Sequence, residues 1–296
     1  MDIKGDVPET LQYSYDEARR KNFDLVEKWH NNSQCSRVDA CLNILNLFNS
    51  SKELWTTFVE YAVENDVLIQ SHLAESLSEV DFTVEKYGKR PVELLESWGA
   101  LLPNLLAAHV VHVLPHEIDL LEESGVKCIH CPGADLRIAG FAPIAEYLDR
   151  GIPVSLGTNS PPCNNRMSMM DEMWLAGLMH KAISQNPEAV PAKEVLRMAT
   201  RNGAIALNRF DTSGSLEAGK FADITLLNLN KLCSTPTYNL YSTIVYQSTS
   251  AVVDTVYVNG RKLLHKGELT TIDEEALIRE GQRRGQAIVK RAGINF

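Results

Sequence analysis

Residues 105–131 read LLAAHVVHVLPHEIDLLEESGVKCIHC, and this stretch decides the fold. LLAAHV (105–110) is a short apolar run that ends in polar residues. Residues 116–124 carry the spacing of an amphipathic helix, and VKCIHC (126–131) is a second apolar run. A strand, a helix and a strand within one such stretch predict a parallel pair with a crossover helix.

The same unit recurs on both sides. Upstream, residues 52–64 read as a helix, VLIQSH (67–72) as a strand, and 76–87 and 91–98 as helices. Downstream, 142–150 reads as a helix and VSLGTN (154–159) as a strand, followed by long helices over 168–184 and 193–207. Residues 15–29 form a further amphipathic helix, and 37–48 are read as a strand. The methionines of MSMMDEMW (167–174) fall at helical spacing and read as core. The strands are apolar nearly throughout, as expected of a sheet covered on its faces or closed into a barrel. Polar residues gather where each strand stops: His72, His109, His130 and Asn159. In a (β/α)8 barrel those C-terminal strand ends carry the active site.

After about residue 208 the pattern changes. GSLEAGKFADITLLNL and VDTVYVNGRKLLHKG predict short strands, with Gly214, Gly219 and Asn259-Gly260 supplying turns. A closing helix is expected over 272–292, capped by Thr271 or Asp273. The expected division is therefore a barrel portion over 1–207, a sandwich portion over 208–270 and a closing helix over 271–296.

Composition bounds the function. The formal charge is -9 and the isoelectric point is near 5.4, with no basic stripe to meet phosphates, so no nucleic-acid partner is expected. The densest basic run, Arg283, Arg284, Lys290 and Arg291, is interleaved with Glu280 and Gln282 and reads as a solvated helix face. The N-terminus, MDIKGDVPET, lacks a signal-peptide pattern, and no apolar run is long enough for a membrane span. Cysteines 35, 41, 128, 131, 163 and 233 are scattered and read as reduced thiols of a cytoplasmic protein. Cys128 and Cys131 form a lone C-x-x-C on a strand, which reads as buried thiols and not as a zinc knuckle.

Individually the strand-end residues are weak signals. His72 could offer a neutral nitrogen to a divalent metal. Glu75, three residues on, could move protons. Either His109 or His112 could line the pocket. Arg137 could meet an anionic group on a substrate or sit in a surface salt bridge. Together, however, seven segments occur in order: HLAE (72–75), YGKRPVELLESWG (87–99), AAHVVH (107–112), HCPGADLRIAG (130–140), LGTNSPPCNNRMSMMDEM (156–173), GSLEAGKFADITLL (214–227) and VDTVYVNG (253–260). This succession resembles the amidohydrolase superfamily, in its branch of methylthioadenosine/S-adenosylhomocysteine deaminases, guanine deaminases and triazine chlorohydrolases.

The resemblance implies an α/β fold, here a partial (β/α)8 barrel of roughly strands four to eight with the C-terminal half of a small β-sandwich. It implies a metal-dependent hydrolase of non-peptide C–N bonds that deaminates a purine-like or related nitrogen heterocycle with zinc or iron. His72 matches the metal-binding histidine of the fifth barrel strand, Glu75 the proton-shuttling glutamate, and His109 the histidine that polarises the substrate.

Several positions depart from that pattern. No two of the histidines, 30, 72, 109, 112, 116, 130, 180 and 265, are spaced by two, so the family's His-x-His pair has no counterpart. Asn159 stands where the family has a metal-binding aspartate. An amide is neutral and cannot take a proton from water. The family's Ser-Asn pair after HCP is replaced within Gly133-Ala134-Asp135, and its substrate-contacting histidine falls near Leu45. Against the family the chain begins beyond barrel strands one to three. Open barrel edges are then expected, to be covered by self-association or a partner chain. The alternative expectation is a catalytically inactive relative that serves as a binding or assembly module.

Overall fold

A computed structural model of the chain describes residues 2–3, 8–31 and 37–294; Cys35 lies outside them. Helix α1 (Tyr15–Trp29) begins where Ser14 and Glu17 form a capping box, each side chain bonding the other's backbone N–H. Strand β1 (Leu42–Asn43), helix α2 (Lys52–Asn65), strand β2 (Ile69–Leu73), helices α3 (Leu77–Tyr87) and α4 (Pro91–Ser97) and strand β3 (Leu105–His109) follow. Ser51 caps α2 and Ser76 caps α3, each accepting a backbone N–H three residues on.

Next come α5 (Pro115–Ser124), β4 (Lys127–His130), α6 (Pro132–Ile138), α7 (Ile144–Asp149), β5 (Val154–Leu156), α8 (Pro161–Asn164), α9 (Met169–Ser184), α10 (Ala192–Met198) and α11 (Arg201–Ala206). The five strands form one sheet in the order β1-β2-β3-β4-β5, and every pairing is parallel. All five strands therefore end on the same side. Register ties those ends together, with Leu73 opposite His109 and His130 opposite Leu156.

The core lies between this sheet and its helices. Every residue of β3 is buried. Trp55 and Phe58 of α2 and Tyr147 of α7 are the largest fully buried side chains; burying such a group contributes about 1.5–3 kcal/mol. The polar tips are satisfied: Trp55 Nε1 donates to Ser50 Oγ at 3.1 Å, and Tyr147 Oη donates to the Val110 carbonyl at 2.8 Å.

A separate antiparallel sheet follows, in the order β6-β7-β8-β9, from β6 (Ile224–Leu227), β7 (Val253–Val258), β8 (Arg261–His265) and β9 (Glu268–Leu269). Between β6 and β7 a single turn, α12 (Leu240–Ser242), runs into a π-helical turn at Thr243–Gln247. Asn259 and Gly260 join β7 to β8 with φ of 46° and 74°. Two left-handed residues are what a two-residue hairpin loop requires, and Asn-Gly supplies them at little cost. Helix α13 (Glu274–Arg291) is capped by Asp273, which accepts the Ala276 N–H at 2.9 Å. Arg283 and Arg284 both bond Glu280 on its exposed surface, so the basic run is a solvated face.

Three expectations are corrected. Of 37–48 only Leu42–Asn43 is strand; β1 is an edge strand with one neighbour, and little of the segment can pair. The single helix expected over 193–207 is two helices, because Thr200 is non-helical at φ -132°, ψ -91°. Asn202 then donates to the Val154 carbonyl at 2.9 Å, which pins the start of α11 to β5. Helix α8 lies in the turn-rich stretch SPPCNN (160–165), and α6 falls where no element was expected. Proline at the first helical position is nevertheless compatible with a helix start.

Candidate functional site

His72 lies on β2 and turns Nδ1 to the Leu45 carbonyl at 2.7 Å. A carbonyl only accepts, so Nδ1 carries the proton and Nε2 is left as a lone pair. The position expected to hold a substrate-contacting histidine thus contributes, through its backbone, the hydrogen bond that orients His72. Ala74 follows with φ of 50°, and Glu75 comes next with a quarter of its side chain exposed.

His109 ends β3 with φ of 75°, and Val110 follows at 50°. A left-handed β-branched residue is an outlier whose strain is of the order of 1–3 kcal/mol. The surroundings over-determine it. Val110 N–H donates to the Leu73 carbonyl at 3.0 Å, Tyr147 holds the Val110 carbonyl, and Val111 and His112 N–H both donate to Ala74. The distortion turns the His109 ring beside its neighbours. It stacks on His72 with centroids 5.2 Å apart, and its Nε2 stands 3.6 Å from Glu75 Oε1. His112 faces elsewhere, with Nε2 on the Ala139 carbonyl at 2.9 Å; of the two histidines it is His109 that joins the cluster.

Two groups absent from the expected site complete it. Asp135, buried in the first turn of α6, places Oδ1 2.6 Å from His109 Nδ1 and Oδ2 3.2 Å from His130 Nδ1. The His130 contact has hydrogen-bond length but poor alignment, and Nδ1 makes no proper hydrogen bond. His130 Nε2 in turn meets His180 Nε2 of α9 at 3.1 Å. Burial and the neighbouring His130 push His180 down to about 3, so its ring is neutral. Burial works against protonation of His109, yet the hydrogen bond and charge of Asp135, with Glu75 and Glu79 behind it, raise its pKa overall. Asp135 could have been flagged as a carboxylate just past a strand end. His180 sits fifty positions beyond His130 on a helix and carries no local signal.

Asn159, beyond β5 with φ of 54°, directs Nδ2 to His109 Nε2 at 3.1 Å, while its Oδ1 accepts the Ser160 N–H at 2.6 Å. Arg137 is exposed on α6 and has no carboxylate within ion-pair distance among the described residues. The C-x-x-C thiols are buried: burial pushes Cys128 up to about 12 and raises Cys131 as well.

Glu172 of α9 braces the first turn of α6, which carries Asp135. It accepts the Gly133 N–H at 2.8 Å and a hydrogen bond from Asn164 Nδ2. A Cβ at Gly133 would lie 2.7 Å from Glu172 Oε1 and within 2.9 Å of the Asn164 amide. Gly133→Ala is therefore expected to destabilise the fold by about 1–3 kcal/mol, read as a lower thermal midpoint. An unchanged midpoint would mean that Glu172 can step aside.

The cluster does not make a complete metal centre. Among the described residues no three His, Cys, Asp or Glu side chains are grouped to hold an ion. His72 offers one nitrogen, and the amide oxygen of Asn159 is already taken by Ser160. Catalytic zinc needs about three protein ligands, so these residues do not fit the ion by themselves.

The Amidohydrolase family model matches residues 8–263. The chain belongs to the amidohydrolase family. This amidohydrolase chain is 35% identical over 291 residues to the 5-methylthioadenosine/S-adenosylhomocysteine deaminase of Dictyoglomus thermophilum, covering 98% of this chain and 66% of that protein. It is 38% identical over 258 residues to the 5′-deoxyadenosine deaminase of Methanococcus maripaludis, covering 86% and 60%. Among solved structures, an adenosine deaminase from Xanthomonas campestris with bound zinc superposes with a TM-score of 0.92 at 27% identity, over 98% of this chain and 65% of that one. The atrazine chlorohydrolase of Arthrobacter aurescens, complexed with zinc, gives 0.88 at 28% identity, over 94% and 62%. The chain thus spans less than two thirds of the length of these relatives. Among the described residues no helix is long and apolar enough to cross a membrane.

Proposed function

We propose that this chain carries the proton-handling and heterocycle-binding part of a metal-dependent C–N hydrolase site, acting on a purine-like or related nitrogen heterocycle by hydrolytic deamination. One observation carries the reading. Glu75, His109 and Asp135 converge at the C-terminal ends of β2, β3 and β4, beside His72, where the barrel architecture places catalytic groups. The names of the relatives supply the substrate class. On this reading the five-stranded sheet is strands four to eight of a (β/α)8 barrel, and the antiparallel sheet belongs to the sandwich portion of 208–270. The free thiols of Cys41, Cys128, Cys131, Cys163 and Cys233 support a cytoplasmic setting. β1 and β5 each have one strand neighbour among the described residues, and self-association or a partner chain at those edges is part of the proposal.

The chemistry these residues can supply follows from their positions. Hydrolytic deamination adds water to the ring carbon bearing the amine and expels ammonia. A carboxylate within reach of both can accept the water's proton and pass it to the leaving nitrogen. Glu75 is the partly exposed carboxylate at this point, and His109 is the ring beside it that contacts the heterocycle. Beyond the proton acceptor Glu75, the described residues do not by themselves fit zinc or iron.

The expected result is binding without turnover by the chain alone. Calorimetric titration with 5′-deoxyadenosine should show binding that Glu75→Gln and His109→Gln each weaken by about 10- to 100-fold, the worth of a hydrogen bond to a charged group. Ammonia release should stay at background. Binding indifferent to both substitutions would sink the site assignment. The second reading, an inactive relative kept for binding, is favoured by Asn159, whose amide is satisfied within the protein at both ends. Elemental analysis separates the two beside Asn159→Asp: near-stoichiometric zinc or iron in the native chain would overturn the inactive reading.

A further inference from the structure

We infer that helix α13 is a dimerisation surface whose partner is α13 of a second copy of this chain, packed antiparallel. The inference stands apart from the function proposed above and from the β1 and β5 edges. No residue of α13 is buried. Yet Leu277, Ile278, Gly281, Gly285, Ile288 and Val289 fall on one stripe at about 100° per residue. Leu277 and Ile278 are each 57% exposed and Ile288 is 56% exposed, so the fold of the single chain leaves this stripe uncovered.

The steps along the stripe are 1, 3, 4, 3 and 1 residues, the same read from either end. Laid antiparallel against itself about Arg283, the stripe sets Leu277 opposite Val289, Ile278 opposite Ile288 and Gly281 opposite Gly285. A Cβ at Gly281 or at Gly285 would meet nothing within 4 Å, so nothing in the single chain requires glycine there. Glycine inside a helix costs stability. At the middle of the stripe the two glycines let a second helix approach closely.

The charges select a second copy and its direction. Asp273, Glu280, Arg284 and Arg291 line one flank of the stripe in steps of 7, 4 and 7 residues, two acidic and then two basic. In an antiparallel pair related by a two-fold axis, each flank meets the same flank of the partner. Asp273 then comes beside Arg291 of the second copy, and Glu280 beside Arg284. In a parallel pair this flank would meet the other one, lined by Glu275, Gln282 and Gln286 with no cation. Within one chain Arg284 Nε donates to Glu280 Oε1 at 2.7 Å, and the same groups can exchange partners across the axis. Such exposed pairs add little affinity and set orientation. Arg279, Arg283 and Lys290 lie on the opposite side of the helix, which stays in water.

Analytical ultracentrifugation of the full chain is the test. The native chain should be a dimer at about 100 μM. Ile278→Asp and Ile288→Asp should each be monomeric there with an unchanged circular-dichroism spectrum, since both positions are exposed in the single chain. Arg284→Glu sets acidic groups against each other across the axis, and Glu280→Arg sets basic ones. Each should weaken the dimer by about tenfold or more. An equimolar mixture of these two variants should recover the dimer, because every flank pair is then opposite in sign. A helix merely weakened by loss of its own Glu280–Arg284 bond would not regain association on mixing. A native chain that stays monomeric leaves the stripe to another occupant and overturns the proposal. A dimer that survives both aspartates also overturns it and places the association elsewhere, at the sheet edges. A mixture that fails to associate overturns the antiparallel arrangement.

Discussion

Replacing Arg90 with methionine is expected to destabilise the protein by about 3–5 kcal/mol, because it strands a buried charge. Glu117 is fully buried at the start of α5 and its Oε2 lies 2.7 Å from Arg90 Nε. That oxygen also accepts the Leu114 N–H at 2.8 Å, whereas Oε1 has no partner. Arg90 Nη2 donates further to the His112 carbonyl at 2.7 Å. The pair therefore ties α4 to the segment leaving β3, three residues beyond the left-handed His109. In Arg90→Met the carboxylate keeps one backbone donor and loses its counter-charge. The urea midpoint should fall with an unchanged slope. The double variant Arg90→Met, Glu117→Leu should recover most of the loss, since removing both members of a buried pair is often near neutral. A loss under about 1 kcal/mol in the single variant would show that water reaches Glu117 and relieves it.

The second large effect is a pH dependence centred on Glu79. This carboxyl lies buried in α3, accepts the Glu75 N–H at 2.9 Å, and is pushed by burial from its ordinary 4.5 to about 7. Glu75 and His109 are the charged neighbours that act on it. The folded state binds this proton more tightly than the unfolded state. The contribution to stability is therefore fully present below pH 4.5, falls as pH rises toward 7, and is lost above it. The span is worth roughly 3 kcal/mol. Glu79→Gln cannot ionise, so its stability relative to the native chain should climb by about that amount between pH 4.5 and 8. Parallel stability curves for the two proteins would refute the buried ionisation.

Much of the fold was legible because it rests on local rules. The stretch 105–131 shows its strand, helix and strand through apolar runs and helical spacing, and β3, α5 and β4 lie there. The Asn259-Gly260 turn was readable because only left-handed residues close that hairpin. Helix α6 was not readable, since its residues spell a turn unless Pro132 happens to sit at the first helical position. The break at Thr200 was hidden too, because α11 is placed by a contact to β5 some fifty residues earlier.

The sequence by itself determined the alternation of strands and helices and the polar residues His72, Glu75, His109 and Asn159 at the strand ends. Each is a matter of residue type and spacing along the chain. Only the tertiary structure decided what those residues do to one another. It chose His109 over His112, through the left-handed turn that Tyr147 and Ala74 hold. It also brought Asp135 to His109 and His180 to His130 from separate strands and helices. The physical reason is that a proton's place on an imidazole is set by the partners within about 3 Å of each nitrogen, and in a parallel sheet those partners come from crossovers distant in sequence.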